Sequence, residues 1–203
     1  MGKIGVFGGT FDPVHYGHIL LVRQAVSELA LDKAIVVPAR NQPFKLDRNV
    51  TSGEHRMNML KLAFADDDII SISDIELKKE AVSYTIDTLR EIRRIYGSSA
   101  DIFFILGADA FLKIEKWKDA EELLGNYAFA IGTRPGFTDS GLSEFIDRLR
   151  NLYNAKIFTI SNALIAVSST EIKDMTGSGE HFSAIPEDVE RYIKANGLYQ
   201  GLY

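Results

Sequence analysis

Six short apolar runs alternate, almost throughout the chain, with segments whose apolar residues fall at helical spacing. The runs are Ile4 to Phe7, Ala34 to Val37, Ile69 to Ile72, Ile102 to Leu106, Tyr127 to Ile131 and Lys156 to Ile160. Between them, Ile19 to Leu31 carries Leu21, Ala25 and Leu29 on one face, with Val22 and Val26 beside them. Thr51 with Glu54 forms a capping-box pattern that opens a helix through Met57, Leu60 and Phe64. Ile86, Leu89, Ile92 and Tyr96 mark a third helix, closed by Gly97, and a fourth covers Ser143 to Leu152. Short helices follow Val167 and Pro186, the latter with proline in its first turn. Strands alternating with helices imply βαβ units with right-handed crossovers. The expected fold class is α/β: a Rossmann-like, doubly wound, mostly parallel sheet with helices on both faces.

In such a sheet, ligands bind beyond the carboxyl ends of the strands. Four strand ends deliver glycine or polar residues to that edge. The first delivers Gly8-Gly9-Thr10-Phe11-Asp12-Pro13-Val14-His15-Tyr16-Gly17-His18, the fourth Gly107-Ala108-Asp109, the fifth Thr133-Arg134 and the sixth Ser161-Asn162. The two glycines and Thr10 are expected to turn the backbone tightly and bring N–H groups close to a ligand. The helix that follows aims its unpaired N–H groups and positive dipole end at the same place. His15 and His18, three residues apart, can face one side. The stretch is built to hold and polarise phosphates. It matches neither the G-x-G-x-x-G dinucleotide fingerprint nor the Walker loop. A zinc site has little support, because helical zinc pairs sit four apart and His55 and His181 have no ligand-like company.

The 203 residues suit one domain, 1–203, with a short helical portion from about 168. A net charge of −5 argues against a general nucleic-acid binder. The absence of cysteine rules out disulfides, thiolate metal sites and a thiol nucleophile, and fits the cytoplasm. No apolar run approaches the ~20 residues of a membrane span, and the start has no signal-peptide layout. Position 6 is Val, so Gly2 lacks a myristoylation signal. Residues 39–52 are polar and long enough to close over a substrate.

The G-G-T-F-D-P-x-H-x-G-H stretch resembles the signature of the HxGH nucleotidyltransferase superfamily. Within it the chain is similar to the bacterial nicotinate-nucleotide adenylyltransferases. The resemblance extends through Pro43-Phe44-Lys45, Glu54-His55-Arg56-Met57, Tyr84-Thr85-x-x-Thr88-Leu89, Phe104-x-x-Gly107-x-Asp109, Trp117 and Arg134-Pro135-Gly136. It continues through Val167-Ser168-Ser169-Thr170-Glu171-Ile172-Lys173 to the tail, Tyr192-Ile193 and Gly197-Leu198-Tyr199. It implies transfer of AMP from ATP to nicotinate mononucleotide, giving deamido-NAD and pyrophosphate in NAD biosynthesis. It assigns His18 to the α-phosphate and His15 to the triphosphate. It places Gly8, Gly9, Thr10, Phe11, Gly107, Asp109, Arg134, Ser168, Ser169 and Lys173 around ATP. Lys45, Thr85 and Trp117 go to the mononucleotide, with Trp117 as a platform for the pyridine ring. Mg²⁺ is implied through the ATP phosphates rather than through protein ligands. The partners are the two nucleotides, with no nucleic acid and no membrane; a homo-oligomer stays open.

Three positions depart from the family pattern. Val14 stands for proline, Phe44 for histidine, and Lys173 for an arginine whose planar fork grips phosphate in two places. Blander readings stand beside the functional ones. Trp117 fits a core position, Asp12 a turn setter, Asp109 a helix cap and Arg134 a surface ion pair. Lys78-Lys79, Arg93-Arg94 and Glu121-Glu122 fit solvated charge. The rival acceptor is phosphopantetheine, disfavoured by His15, Trp117 and chain length, with a cytidylyltransferase behind it. The rival class is a non-catalytic nucleotide sensor, which would bind ATP without releasing pyrophosphate.

Overall fold

The computed structural model describes residues 2–40, 50–79, 82–133, 140–161, 169–176 and 184–199. Six strands form one sheet: β1 (Lys3–Gly9), β2 (Lys33–Pro38), β3 (Ile70–Ile72), β4 (Asp101–Gly107), β5 (Ala128–Thr133) and β6 (Lys156–Ser161). Their order is β3-β2-β1-β4-β5-β6, and every pairing is parallel. The order reverses between β1 and β4, which makes that junction the topological switch point.

The strands read as continuous apolar runs because both faces are covered. On one face, Phe7, Val36, Phe103, Ile105 and Ala130 pack with α1 (Tyr16–Leu29), α2 (Gly53–Ala63), α7 (Ser169–Thr176) and α8 (Glu187–Ala195). On the other, Val6, Ile35, Val37, Phe104, Leu106 and Phe129 pack with α3 (Thr85–Tyr96) and α6 (Ser140–Tyr153). That second face also takes α4 (Ala108–Phe111), a 3₁₀ turn at Ile114–Lys116 and α5 (Ala120–Asn126). Odd and even strand positions thus serve different helical layers, as the two-residue period of a strand requires.

Several boundaries differ from the sequence expectation. Helix α1 starts at Tyr16, not Ile19, because the histidines themselves cap it. Helix α2 is capped by Ser52, whose Oγ accepts the His55 N–H at 3.3 Å. Thr51 turns away and donates its N–H to Asp12 Oδ2 at 3.2 Å. Pro186 is the N-cap of α8 rather than part of its first turn. Asp109 lies inside α4, whose cap is Gly107, so it is not the capping residue. The short helices between β4 and β5 were not expected from periodicity. Four to seven residues are too few for a helical pattern to repeat.

Candidate active site

The loop after β1 is fastened before it turns. Ala39 N–H donates to Gly9 O at 2.8 Å, tying the ends of β1 and β2. The left-handed residue is Phe11, φ 51°, and not either glycine. This corrects the expectation that Gly8 and Gly9 supply the turn. Gly9 is needed for close approach: a Cβ there would meet the Phe11 ring at 2.8 Å. That ring is buried edge-on to Phe7 (5.2 Å) and to the His18 imidazole (5.1 Å). Phe11 therefore supports His18 from below, and only its backbone can face a nucleotide.

The spacing of the histidines is that of a helix cap. His15 is the extended N-cap of α1, and His18 stands at the third helical position. His18 Nδ1 accepts the His15 backbone N–H at 3.3 Å, the part a glutamate plays in a capping box. An accepting Nδ1 carries no proton, so the neutral ring bears its proton on Nε2. The two rings stack at 3.7 Å. His15 is buried, and burial pushes its pKa down to about 4 against the upward pull of Glu171. It is neutral at pH 7. Its Nδ1 and the nearby Thr10 Oγ1 are buried with no hydrogen-bond partner among the described residues. Buried polar atoms are nearly always satisfied. Thr10 and His15, five residues apart in this loop, each keep a polar atom that could bond a ligand.

Charge organises the loop from beneath. Arg56, 2% exposed, donates to three carbonyls: Nε to Thr51 O at 2.9 Å, and Nη1 to Thr10 O at 2.8 Å and Ala39 O at 2.7 Å. It joins the β1 loop, the β2 end and the approach to α2. Nothing in the sequence around Arg56 marks it as buried, since arginine is seldom a core residue. Asp12 is also buried. Its Oδ1 accepts the Tyr199 hydroxyl at 2.7 Å, and its Oδ2 accepts Thr51 N–H and Lys173 Nζ. Burial alone would raise its pKa, but the bonds from Lys173, Tyr199 and Thr51 outweigh that and hold it below the usual carboxylate range. Helix α7 is pinned a second time, by Ser169 Oγ donating to Pro13 O at 2.9 Å.

The other expected residues lie around the same edge. Gly8 and Gly9 end β1 and Gly107 ends β4; a Cβ at Gly107 would meet nothing within 4 Å, so space opens above it. Asp109 is exposed one residue into α4. Thr85 opens α3. Trp117 is half-buried, its ring edge-on to Phe104 at 5.9 Å, with exposed Lys116 and Lys118 on either side. Lys118 reaches back to α3, with Nζ over the Tyr84 ring at 4.7 Å and bonded to Asp87 at 2.9 Å. Arg93 departs from solvated charge: its guanidinium lies over the Tyr127 ring at 4.5 Å and donates to Asn126 O. Glu122 pairs with Arg90. Lys45, Arg134 and Ser168 fall outside the described residues, as do Phe44, Asn162 and most of the 39–52 stretch.

No group of three or more His, Asp or Glu side chains among the described residues could hold a metal. Asp12, the acid nearest the histidines in sequence, has both oxygens occupied by protein donors. Among the described residues, a resident metal bound through side chains does not fit the donor set. No described helix is long and apolar enough to cross a membrane.

The cytidylyltransferase-like family model matches residues 6–175. The chain is 42% identical over 199 residues to a probable nicotinate-nucleotide adenylyltransferase of Thermoanaerobacter sp. (strain X514), covering 98% of this chain and 94% of the relative. Two solved structures share its fold, both of the Plasmodium falciparum nicotinic acid mononucleotide adenylyltransferase. The one complexed with APC has a TM-score of 0.79 at 21% identity, and the one complexed with NaAD a TM-score of 0.78 at 22% identity. Each comparison covers 98% of both chains. With the all-parallel sheet, the capped histidine pair at its switch point and a full-length relative above 40% identity, this chain belongs to the nicotinate-nucleotide adenylyltransferases within the cytidylyltransferase-like family.

Proposed function

We propose that the chain transfers AMP from ATP to nicotinate mononucleotide, releasing pyrophosphate and forming deamido-NAD, as a step of NAD biosynthesis. The observation that carries the reading is the stacked His15–His18 pair at the β1–β4 switch point, beside two buried orphan polar atoms. A phosphate oxygen of the mononucleotide attacks the α-phosphorus; the new P–O bond forms as the bond to the β-phosphate oxygen breaks. That oxygen is already ionised at neutral pH, so no general base is needed. Catalysis rests on alignment and on stabilising charge on the transferring group and pyrophosphate.

His18 Nε2–H serves the α-phosphate. His15 donates to the triphosphate, and an anion beside it draws its depressed pKa back up. Thr10 and the Gly8–Gly9 backbone line the phosphate path. Phe11 buttresses His18, with its backbone beside the nucleotide. Ser169 acts from the first residue of α7 and Lys173 from its last turn, with Ser168 next to Ser169 in the chain. Gly107 leaves room for the adenosine, Asp109 takes its ribose, and Arg134 the adenine side. Trp117 and Thr85 receive the pyridine ring, with Lys45 closing from the loop. Mg²⁺ enters as part of the MgATP substrate, held by phosphate oxygens and water. The whole chain works as one domain, in the cytoplasm.

The test is pyrophosphate release from MgATP with nicotinate mononucleotide, nicotinamide mononucleotide or phosphopantetheine as acceptor. Strong preference for the first is expected. Release with phosphopantetheine alone would replace the acceptor, and binding of ATP with no release would favour the sensor.

A further inference from the structure

Tyr199 lies beyond α8, far in sequence from the histidine loop, yet its hydroxyl is buried against Asp12 of that loop at 2.7 Å. Its backbone sits in the left-handed region, φ 64°, which a bulky residue adopts only when its surroundings impose it. The surroundings here are the bond to Asp12 and the cation of Lys173, whose Nζ lies 5.2 Å from the ring centre. Asp12 in turn holds Lys173 on α7, while Ser169 on the same helix is tied to Pro13 O.

We propose that Tyr199 and Asp12 form, with Lys173, a strut that holds α7 against the histidine loop, so that Tyr199 is a positioning residue for the triphosphate. The proposal rests on the adenylyltransferase reading for the identity of the nucleotide, but the strut itself is read from the three contacts. Asp12 is held by donors from three directions: the C-terminal tail, the approach to α2 and α7. Removing one loosens the carboxylate and, through it, the lysine. The mononucleotide platform at Trp117 packs on the opposite face of the sheet and shares none of these contacts. The strut therefore acts chiefly on the ATP side.

Equilibrium binding of MgATP to Tyr199→Phe, which keeps the ring and deletes the hydroxyl, tests it. The expected result is about three- to tenfold weaker ATP binding, the net worth of one ordinary hydrogen bond. KM for ATP rises in step, while KM for the mononucleotide and kcat stay within about twofold. A double-mutant cycle with Lys173→Met should be less than additive, because both act through Asp12. A lower melting temperature with unchanged ATP affinity would reduce Tyr199 to a stability role and overturn the proposal. Should Tyr199→Phe not fold, Asp12→Asn carries the test. Weaker ATP binding is expected there; tighter binding would make Asp12 a competitor for the lysine and overturn the strut. Wild-type turnover with nicotinate mononucleotide is measured alongside. Its failure would sink the acceptor, whereas the ATP-binding series would still decide the strut.

Discussion

Replacing Arg56 by leucine removes a side chain that joins the β1 loop, the end of β2 and the approach to α2. Three carbonyls lose a charged donor: those of Thr10, Thr51 and Ala39. The Ala39 bond is buried, so its acceptor pays the full cost of an unpaired group, ~1–3 kcal/mol. The other two bonds are only partly buried, and water can take over, leaving a loss of ~0.5–1.5 kcal/mol each. The total is about 2–6 kcal/mol of folding stability, a large share of the ~5–15 kcal/mol typical of a domain. For a chain of this size it corresponds to a drop of about 4–24 °C in Tm. Urea unfolding followed by circular dichroism measures it, with an unchanged m-value showing that the denatured state is the same. Arg56→Lys should fall between, since a single ammonium cannot span three carbonyls. A stability loss below about 0.5 kcal/mol in Arg56→Leu would mean that water replaces all three bonds, and would refute the idea that arginine holds the loop.

The remaining predictions concern the ring pair and the platform. His18→Ala should lower kcat by about two to three decades with a smaller change in ATP affinity; near-normal turnover would remove His18 from the chemistry. His15 has a folded pKa of about 4 against 6.5 when unfolded, so the unfolded chain takes up a proton that the folded chain refuses. Stability should therefore fall as pH drops from about 6.5 to 4, by ~3 kcal/mol in all, and His15→Gln should lack that part of the slope. Parallel slopes in urea titrations of the two proteins would contradict the burial of His15. Trp117→Ala should weaken mononucleotide binding far more than ATP binding, and unchanged mononucleotide affinity in a folded variant would return Trp117 to the core.

The layered sheet was legible because its strands are covered on both sides. Ile4, Val6 and Phe7, or Ile102 to Leu106, must be apolar at successive positions, and that leaves a plain run in the sequence. The phosphate-holding stretch was legible because Gly8, Gly9 and Thr10 with His15 and His18 follow the first apolar strand directly, and the transfer chemistry came from the resemblance of that stretch to the HxGH signature. What stayed hidden depends on tertiary contact. Phe11 takes a left-handed turn next to two glycines that do not, because its ring is pulled under His18. In the sequence Asp12 fits a turn setter and Arg56 is one residue of the Glu54-His55-Arg56-Met57 stretch; their buried bonds to Tyr199 and to the loop carbonyls come only with the fold. Lys173 also has a buried carboxylate partner in Asp12, a pairing 161 residues apart that no local pattern encodes. Thr51 and Ser52 are equally good caps by composition, and Asp12 decides between them by taking the Thr51 N–H.

The central claim is that this fold passes the AMP portion of ATP directly to an acceptor phosphate. The most direct measurement follows the phosphorus. ATP labelled at the α-phosphate is incubated with nicotinate mononucleotide and Mg²⁺, in parallel with ATP labelled at the γ-phosphate. The account predicts α-label in the dinucleotide and γ-label in pyrophosphate, in equal amounts and only when the mononucleotide is present. Label appearing in free AMP or in inorganic phosphate, with none in a dinucleotide, would contradict it.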